Sequence, residues 1–161
     1  MFVWRKYVVI APVSLSIALL LTGCAEDQAS QCFRLIQVVN AGNALIDQNK
    51  GQQVITSWQL SKDLEAITKS LDELKLSDPQ LQQVQGGFMR VFENLSQAIA
   101  KASQALGAAK NAEASASGRE KLQQARKEID TVLTNAAKTA GKDSDVLVKQ
   151  LNKYCSQTDV R

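Results

Sequence analysis

Side chains able to do chemistry are sparse in this chain, and the first observation is an absence. Histidine does not occur in any of the 161 residues, which removes the commonest general base and the commonest metal ligand. Haem, zinc and triad chemistry go with it. Methionine occurs only as Met1 and Met89, so a methionine-rich copper site is excluded too. Carboxylates do fall in close pairs, Asp63 with Glu65, Asp72 with Glu73 and Asp143 with Asp145, and each pair is a candidate acid–base couple or calcium ligand set. Their spacing argues against both. Neighbours on a helix point about 100° apart, Lys69 and Lys75 flank the second pair, and no Gly-containing calcium loop is present. They read as solvated faces with local ion pairs such as Asp72 with Lys69. No nucleophile elbow, phosphate-binding loop, H-E-x-x-H pair, C-x-x-C or dinucleotide fingerprint appears. What remains is three cysteines, Cys24, Cys32 and Cys155. The expectation is a protein that is not an enzyme and that has no catalytic residue, no cofactor and no metal.

The segment that delivers Cys24 gives its thiol a role. Met1 to Tyr7 carries Arg5 and Lys6 and no acid, and Val8 to Leu21 follows as an uncharged apolar run broken by Pro12, Ser14 and Ser16. At about 14 residues it falls short of the roughly 20 that a membrane span needs, so a cleaved export signal fits better than a retained helix. It ends in Leu21-Thr22-Gly23-Cys24, which resembles the lipobox of bacterial lipoprotein precursors. The resemblance covers the first 24 residues. It implies a diacylglyceryl group on the Cys24 thiol, a cut between Gly23 and Cys24, and a new amino group open to acylation. One acyl chain binds a membrane only marginally, and two or more make the attachment stable. The implied location is the bacterial cell envelope, membrane-anchored on the extracytoplasmic side. The alternative is an ordinary cleaved signal followed by a chance cysteine.

The chain then divides into a signal peptide (1–23), a polar tether (24–31) and one domain (32–161). Removing Arg5 and Lys6 with the signal lowers the basic count from 19 to 17 against 16 acids, a net charge of +1. No basic field is left to hold nucleic acid. A single core suits the 138 residues that remain. Few Gly and Pro with abundant Ala, Gln, Leu and Lys favour helices over strands.

Period and punctuation place those helices. Cys32, Leu35, Val39, Gly42 and Ile46 form one stripe, which Asn49-Lys50-Gly51 ends. Leu60, Leu64, Ile67, Leu71 and Leu74 form the second, preceded by Val54 and Trp58, and it stops at Ser77-Asp78-Pro79, where Asp or Ser as cap and Pro at the first position start a third. The third runs from Leu81 through Phe88 to Ala109, large residues first and mostly Ala later, for about 30 residues or roughly 45 Å. Asn111 to Gly118 is the tip of a hairpin. Leu122, Ala125, Ile129, Val132 and Ala136 mark a fourth helix that Gly141-Lys142-Asp143 breaks or kinks, and Val146 to Tyr154 is a last piece. The predicted fold is all-α, an antiparallel up-and-down bundle of four helices, or of five if the chain folds back at Gly141. The longer third and fourth helices extend past the shorter pair as an arm if all four share one base.

Within this frame Gly86-Gly87 needs a reason, since each Gly in a helix costs about 1 kcal/mol relative to Ala. Close approach of another helix, or a kink beside Phe88, is the plain reading; a hinge or ligand-facing notch is the sharper one. Trp58 reads as core, or as a partner contact if it is exposed. Asn40 and Asn43 flank the first stripe and could place an amide inside.

With Cys24 acylated, the exported domain keeps an even pair, Cys32 and Cys155, in a compartment that permits oxidation. An even-numbered up-and-down bundle brings the start of its first helix and the end of its last to the same end, so a disulfide is expected, with two buried free thiols as the alternative. The functional expectation is a non-catalytic interaction or scaffold subunit that binds a protein partner, held to the membrane through its lipid anchor and taking no nucleic acid. Its partner site is sought on Ala98 to Ile129. The alternative is a module holding a small apolar ligand within the bundle. An exposed apolar patch favours the first, an enclosed apolar cavity the second.

Overall fold

Four helices, α1 (Gln28–Gln48), α2 (Trp58–Glu73), α3 (Pro79–Lys110) and α4 (Ala116–Ser156), make up the computed structural model, which describes residues 26–49, 58–110 and 115–157. Three of them start on a side chain that takes up free N–H groups of the first turn. Asp27 accepts from the Ser30 N–H at 2.8 Å, Asp78 from the Gln80 and Leu81 N–H groups at 2.9 and 3.0 Å, and Ser115 from the Gly118 N–H at 3.1 Å. The hydrogen bonds from the Ser30 hydroxyl and N–H hold the Asp27 carboxyl below its usual range. The Asp27 cap also moves the start of α1 forward: the helix begins at Gln28, inside the segment 24–31 read as tether. Asn49 closes α1, its side-chain amide donating to the Leu45 carbonyl at 2.7 Å.

The apolar stripes meet in one core. Leu35 and Val39 of α1, Leu60, Leu64 and Leu71 of α2, and Leu81, Val84, Phe88, Phe92 and Ile99 of α3 are buried together with Leu151 of α4, and Leu133, Leu147 and Val148 pack partly covered against them. Specific contacts fix the directions. Gln31 meets Ser77 and Gly42 meets Phe92, so α1 runs parallel to α3. Ser61 meets Ser96 and Leu71 meets Gln85, so α2 is antiparallel to α3. Leu147 lies on Gly87, and Lys101 pairs with Glu128 at 3.7 Å, so α4 is antiparallel to α3 as well. The result is an all-α up-and-down bundle in which α3 touches all three other helices, while α2 and α4 stay apart.

Two expectations about the long hairpin resolve differently. The chain does not fold back at Gly141, and α4 runs unbroken for 41 residues, so the five-helix version is overturned. A mid-helix glycine costs about 1 kcal/mol, and α4 continues to pack on α3 on both sides of it. The arm is present. Ser61, three residues into α2, is level with Ser96, so the described part of α2 begins opposite about Ile99; α1 ends near the same level, since Gly42 faces Phe92. Beyond that level α3 continues to Lys110, about 17 Å further, with the first turns of α4 beside it. Ala102, Ala109 and Gly118 are buried there, small residues that let the two helices close on each other.

Candidate functional site

The end of the bundle opposite the arm holds its densest polar chemistry. Gln31, one residue before Cys32 and buried, reaches from α1 into the turn between α2 and α3. Its amide donates to the Glu26 carbonyl and to the Ser77 hydroxyl, both at 3.0 Å, and accepts from the Ser77 and Asp78 N–H groups at 2.8 and 3.0 Å. Asp78 caps α3 with one carboxylate oxygen, and its other accepts the Tyr154 hydroxyl of α4 at 2.7 Å. Gln85 of α3 donates to the Leu71 and Leu74 carbonyls at and just past the end of α2, each of which also accepts a main-chain N–H of the turn. Arg34 pairs with Glu26 and also donates to the Lys75 carbonyl at 3.3 Å. Every helix is therefore tied into this base.

Cys32 and Cys155 are bonded within it, their Cα atoms 5.9 Å apart and 123 residues apart in sequence. The expected pairing follows from parity: α1 starts and α4 ends on the same side. Cys24 lies outside the described residues, as do the signal segment 1–23 and Val54.

The Asp78–Tyr154 bond makes the base sensitive to pH. Partial burial pushes the Asp78 carboxyl up, but the hydrogen bonds from Tyr154, Leu81 and Gln80 outweigh it and hold the pKa below the ordinary carboxylate value. The bond to Asp78, then burial and the carboxylate charge, raise the Tyr154 phenol. A lowered Asp contributes stability that is complete above its unfolded value of about 4 and lost as pH falls through the folded one. A raised Tyr contributes below about pH 10 and loses that contribution as pH rises through its folded value. Urea midpoints between pH 6 and pH 2.5 should therefore fall less steeply for Asp78→Asn than for the parent. Equal slopes would show that other carboxylates carry the acid limb.

The remaining sequence candidates are dispersed. Gly87 is where Leu147 of α4 comes closest, 2.5 Å from the position a Cβ would take, whereas a Cβ at Gly86 would meet only the tip of Arg90 at 4.0 Å; close approach is the reason for Gly87 alone. Trp58 is not core: it is 51 % exposed, with the Lys62 ammonium 4.9 Å from its ring centre. Asn40 is exposed and Asn43 half-buried, and the buried amides are Gln31 and Gln85 instead. Asp63 accepts from Gln59, Glu65 from Lys62, and Lys69 reaches Glu73 rather than Asp72. The i,i+4 pair is the one the helix brings together. The hydroxyls of Ser61 and Ser96, 3.1 Å apart and fully buried, were not legible as a pair, because each looks like a polar interruption of its own stripe.

An open cleft of about 370 Å³ lies beside the base, lined by Gln80, Gln83, Val84, Gln150, Lys153 and Tyr154. It is open to solvent and mixes glutamine amides and the Lys153 ammonium with Val84 and the Tyr154 ring, whereas a small apolar ligand needs an enclosed apolar cavity. Among the described residues no three His, Cys, Asp or Glu side chains group as metal ligands, and no described helix is long and apolar enough to cross a membrane. Compared with known proteins, the chain matches no family model, no curated protein and no solved structure.

Proposed function

We propose that this chain is a bacterial lipoprotein, anchored through acyl chains on Cys24 at the extracytoplasmic side of an envelope membrane, that works without catalysis by binding another protein. The observation that carries the binding role is the arm. Among the described residues α3 and α4 continue past the ends of α1 and α2, and at one level of this extension Leu106 and Leu122 are 37 % and 38 % exposed. Small residues along it permit a partner helix to approach closely. The anchor rests on the lipobox and is supported by the Cys32–Cys155 bond, which suits an oxidising compartment. Anchoring raises the effective concentration of the domain at the membrane, where a weak contact suffices.

Two measurements test this. Intact-mass analysis of the membrane fraction should find a chain beginning at Cys24 and carrying acyl mass; a different first residue, or no acyl mass, removes the anchor. A photo-cross-linking residue at position 106 or 122 in native membranes should trap one reproducible protein, while the same probe at Glu65 traps none. A protein recovered without such an adduct, and with a co-purifying small molecule, replaces this reading with the ligand-binding module.

A further inference from the structure

Between the exposed carboxylates Asp27 and Asp47 that bound it, the outward face of α1 differs from the exposed faces of the other described helices. Between residues 28 and 46 no exposed residue carries a charge: the face consists of Ala29, Ser30, Phe33, Gln37, Asn40 and Ala44, with Ala41 beside them. Phe33 is 68 % exposed, more than any other large apolar side chain among the described residues. The one charge within this stretch, Arg34, is held against Glu26 and the Lys75 carbonyl at the base. By contrast, the exposed faces of α2, α3 and α4 carry both signs of charge, among them Lys62 and Glu65, Arg90 and Glu93, and Lys127 and Glu128. The uncharged face spans about 22 Å along the helix.

We infer that this face of α1 lies against the lipid bilayer, with Phe33 as its insertion point, so that the bundle rests on its side. The inference rests on the Cys24 anchor proposed above. Two residues, Ala25 and Glu26, separate Cys24 from the Asp27 cap, a connection of at most about 11 Å, so an acylated Cys24 holds the start of α1 at the membrane surface continuously. Phe33 stands in the second turn of that helix, and its Cα–Cβ bond tilts toward the N-terminus, toward the anchor. A surface pressed onto headgroups and the acyl boundary loses water, which a charge resists and a Phe, Ala, Ser, Asn or Gln tolerates far better. Lipid is favoured over a protein on this face because the anchor brings lipid to it at all times. With no charge in the seat, attachment should not depend on anionic lipid or on salt.

The test uses the mature chain, residues 24–161, in which the Cys32–Cys155 bond leaves Cys24 as the free thiol. Coupling that thiol to a maleimide lipid in phosphatidylcholine vesicles supplies an anchor chemically, so a failed seat is distinguishable from a failed anchor, which the mass measurement reads separately. In a Trp58→Phe background, single Trp reporters are placed as Phe33→Trp, Ala44→Trp and Leu106→Trp, and quenching by lipids brominated near the top of the acyl chains is measured. The reporter at 33 should lose at least half its emission and the one at 44 a smaller fraction. The arm reporter at 106 should lose none. Phe33→Glu combined with the reporter at 44 should at least halve the quenching there, while circular dichroism confirms that the fold is kept. Quenching at 33 no greater than at 106 overturns the inference. So does quenching at 33 alone, which describes an upright bundle. Shielding of the reporter at 33 from acrylamide without lipid quenching assigns the face to a protein partner or a second copy, and overturns it as well.

Discussion

Serine in place of Cys155 should lower the unfolding free energy of the domain by about 3 to 5 kcal/mol, the largest loss expected from any single replacement here. The bond joins residues 123 apart, so it removes from the unfolded ensemble nearly all conformations in which the ends of the domain separate. Loops of this size give the largest entropic effect, about 4 to 5 kcal/mol by chain-entropy reasoning. Thermal unfolding should shift down by roughly 10 to 20 °C for a domain of this length. Denaturation of the oxidised parent, the parent reduced by phosphine and the Cys155→Ser variant checks this. The latter two should agree within about 1 kcal/mol. A loss below 1 kcal/mol would show that Gln31, Asp78 and Tyr154 hold the base by themselves.

Alanine at two glycines should move stability in opposite directions. Gly86→Ala should stabilise by about 0.5 to 1 kcal/mol, because an added methyl meets only the tip of Arg90 at 4.0 Å and helix propensity alone decides the sign. Gly42→Ala should destabilise by about 2 kcal/mol despite the same gain in propensity. A Cβ there would lie 2.5 Å from the Phe92 Cζ and 2.8 Å from its Cε1. That ring has nowhere to go: it is fully buried and stacks with Phe88 at 6.3 Å between centroids. Relief therefore requires α1 to move off α3. Urea titrations of the two variants side by side decide the matter, and a shift of the same sign in both would show that α1 is not pressed on Phe92.

These glycines also mark how far the chain could be read without its fold. Tertiary structure decided between four helices and five by keeping α4 unbroken at Gly141, whereas sequence alone determined the all-α class, most of the faces the helices bury, the helix start at Ser77-Asp78-Pro79 and the parity that brings Cys32 to Cys155. Each of these is local, or follows from counting antiparallel turns. The address proposed from Cys24 rests on the sequence alone, since that residue lies outside the described residues. Periodicity leaves Trp58 open between core and partner contact, because it reports only the faces of a helix. Trp58 is the first residue of α2, at the level where the core ends, and no described helix beyond it covers the ring. Gly42 read as an ordinary stripe position, and nothing local distinguished Gly86 from Gly87 until α4 placed Leu147 over one of them. Gln31 falls within the polar tether and no motif singles out Gln85, yet each reaches main-chain groups of another helix end. Which amide is buried, which glycine is pressed and which Phe is left outside depend on where neighbouring helices start, stop and touch, and only tertiary packing sets those levels.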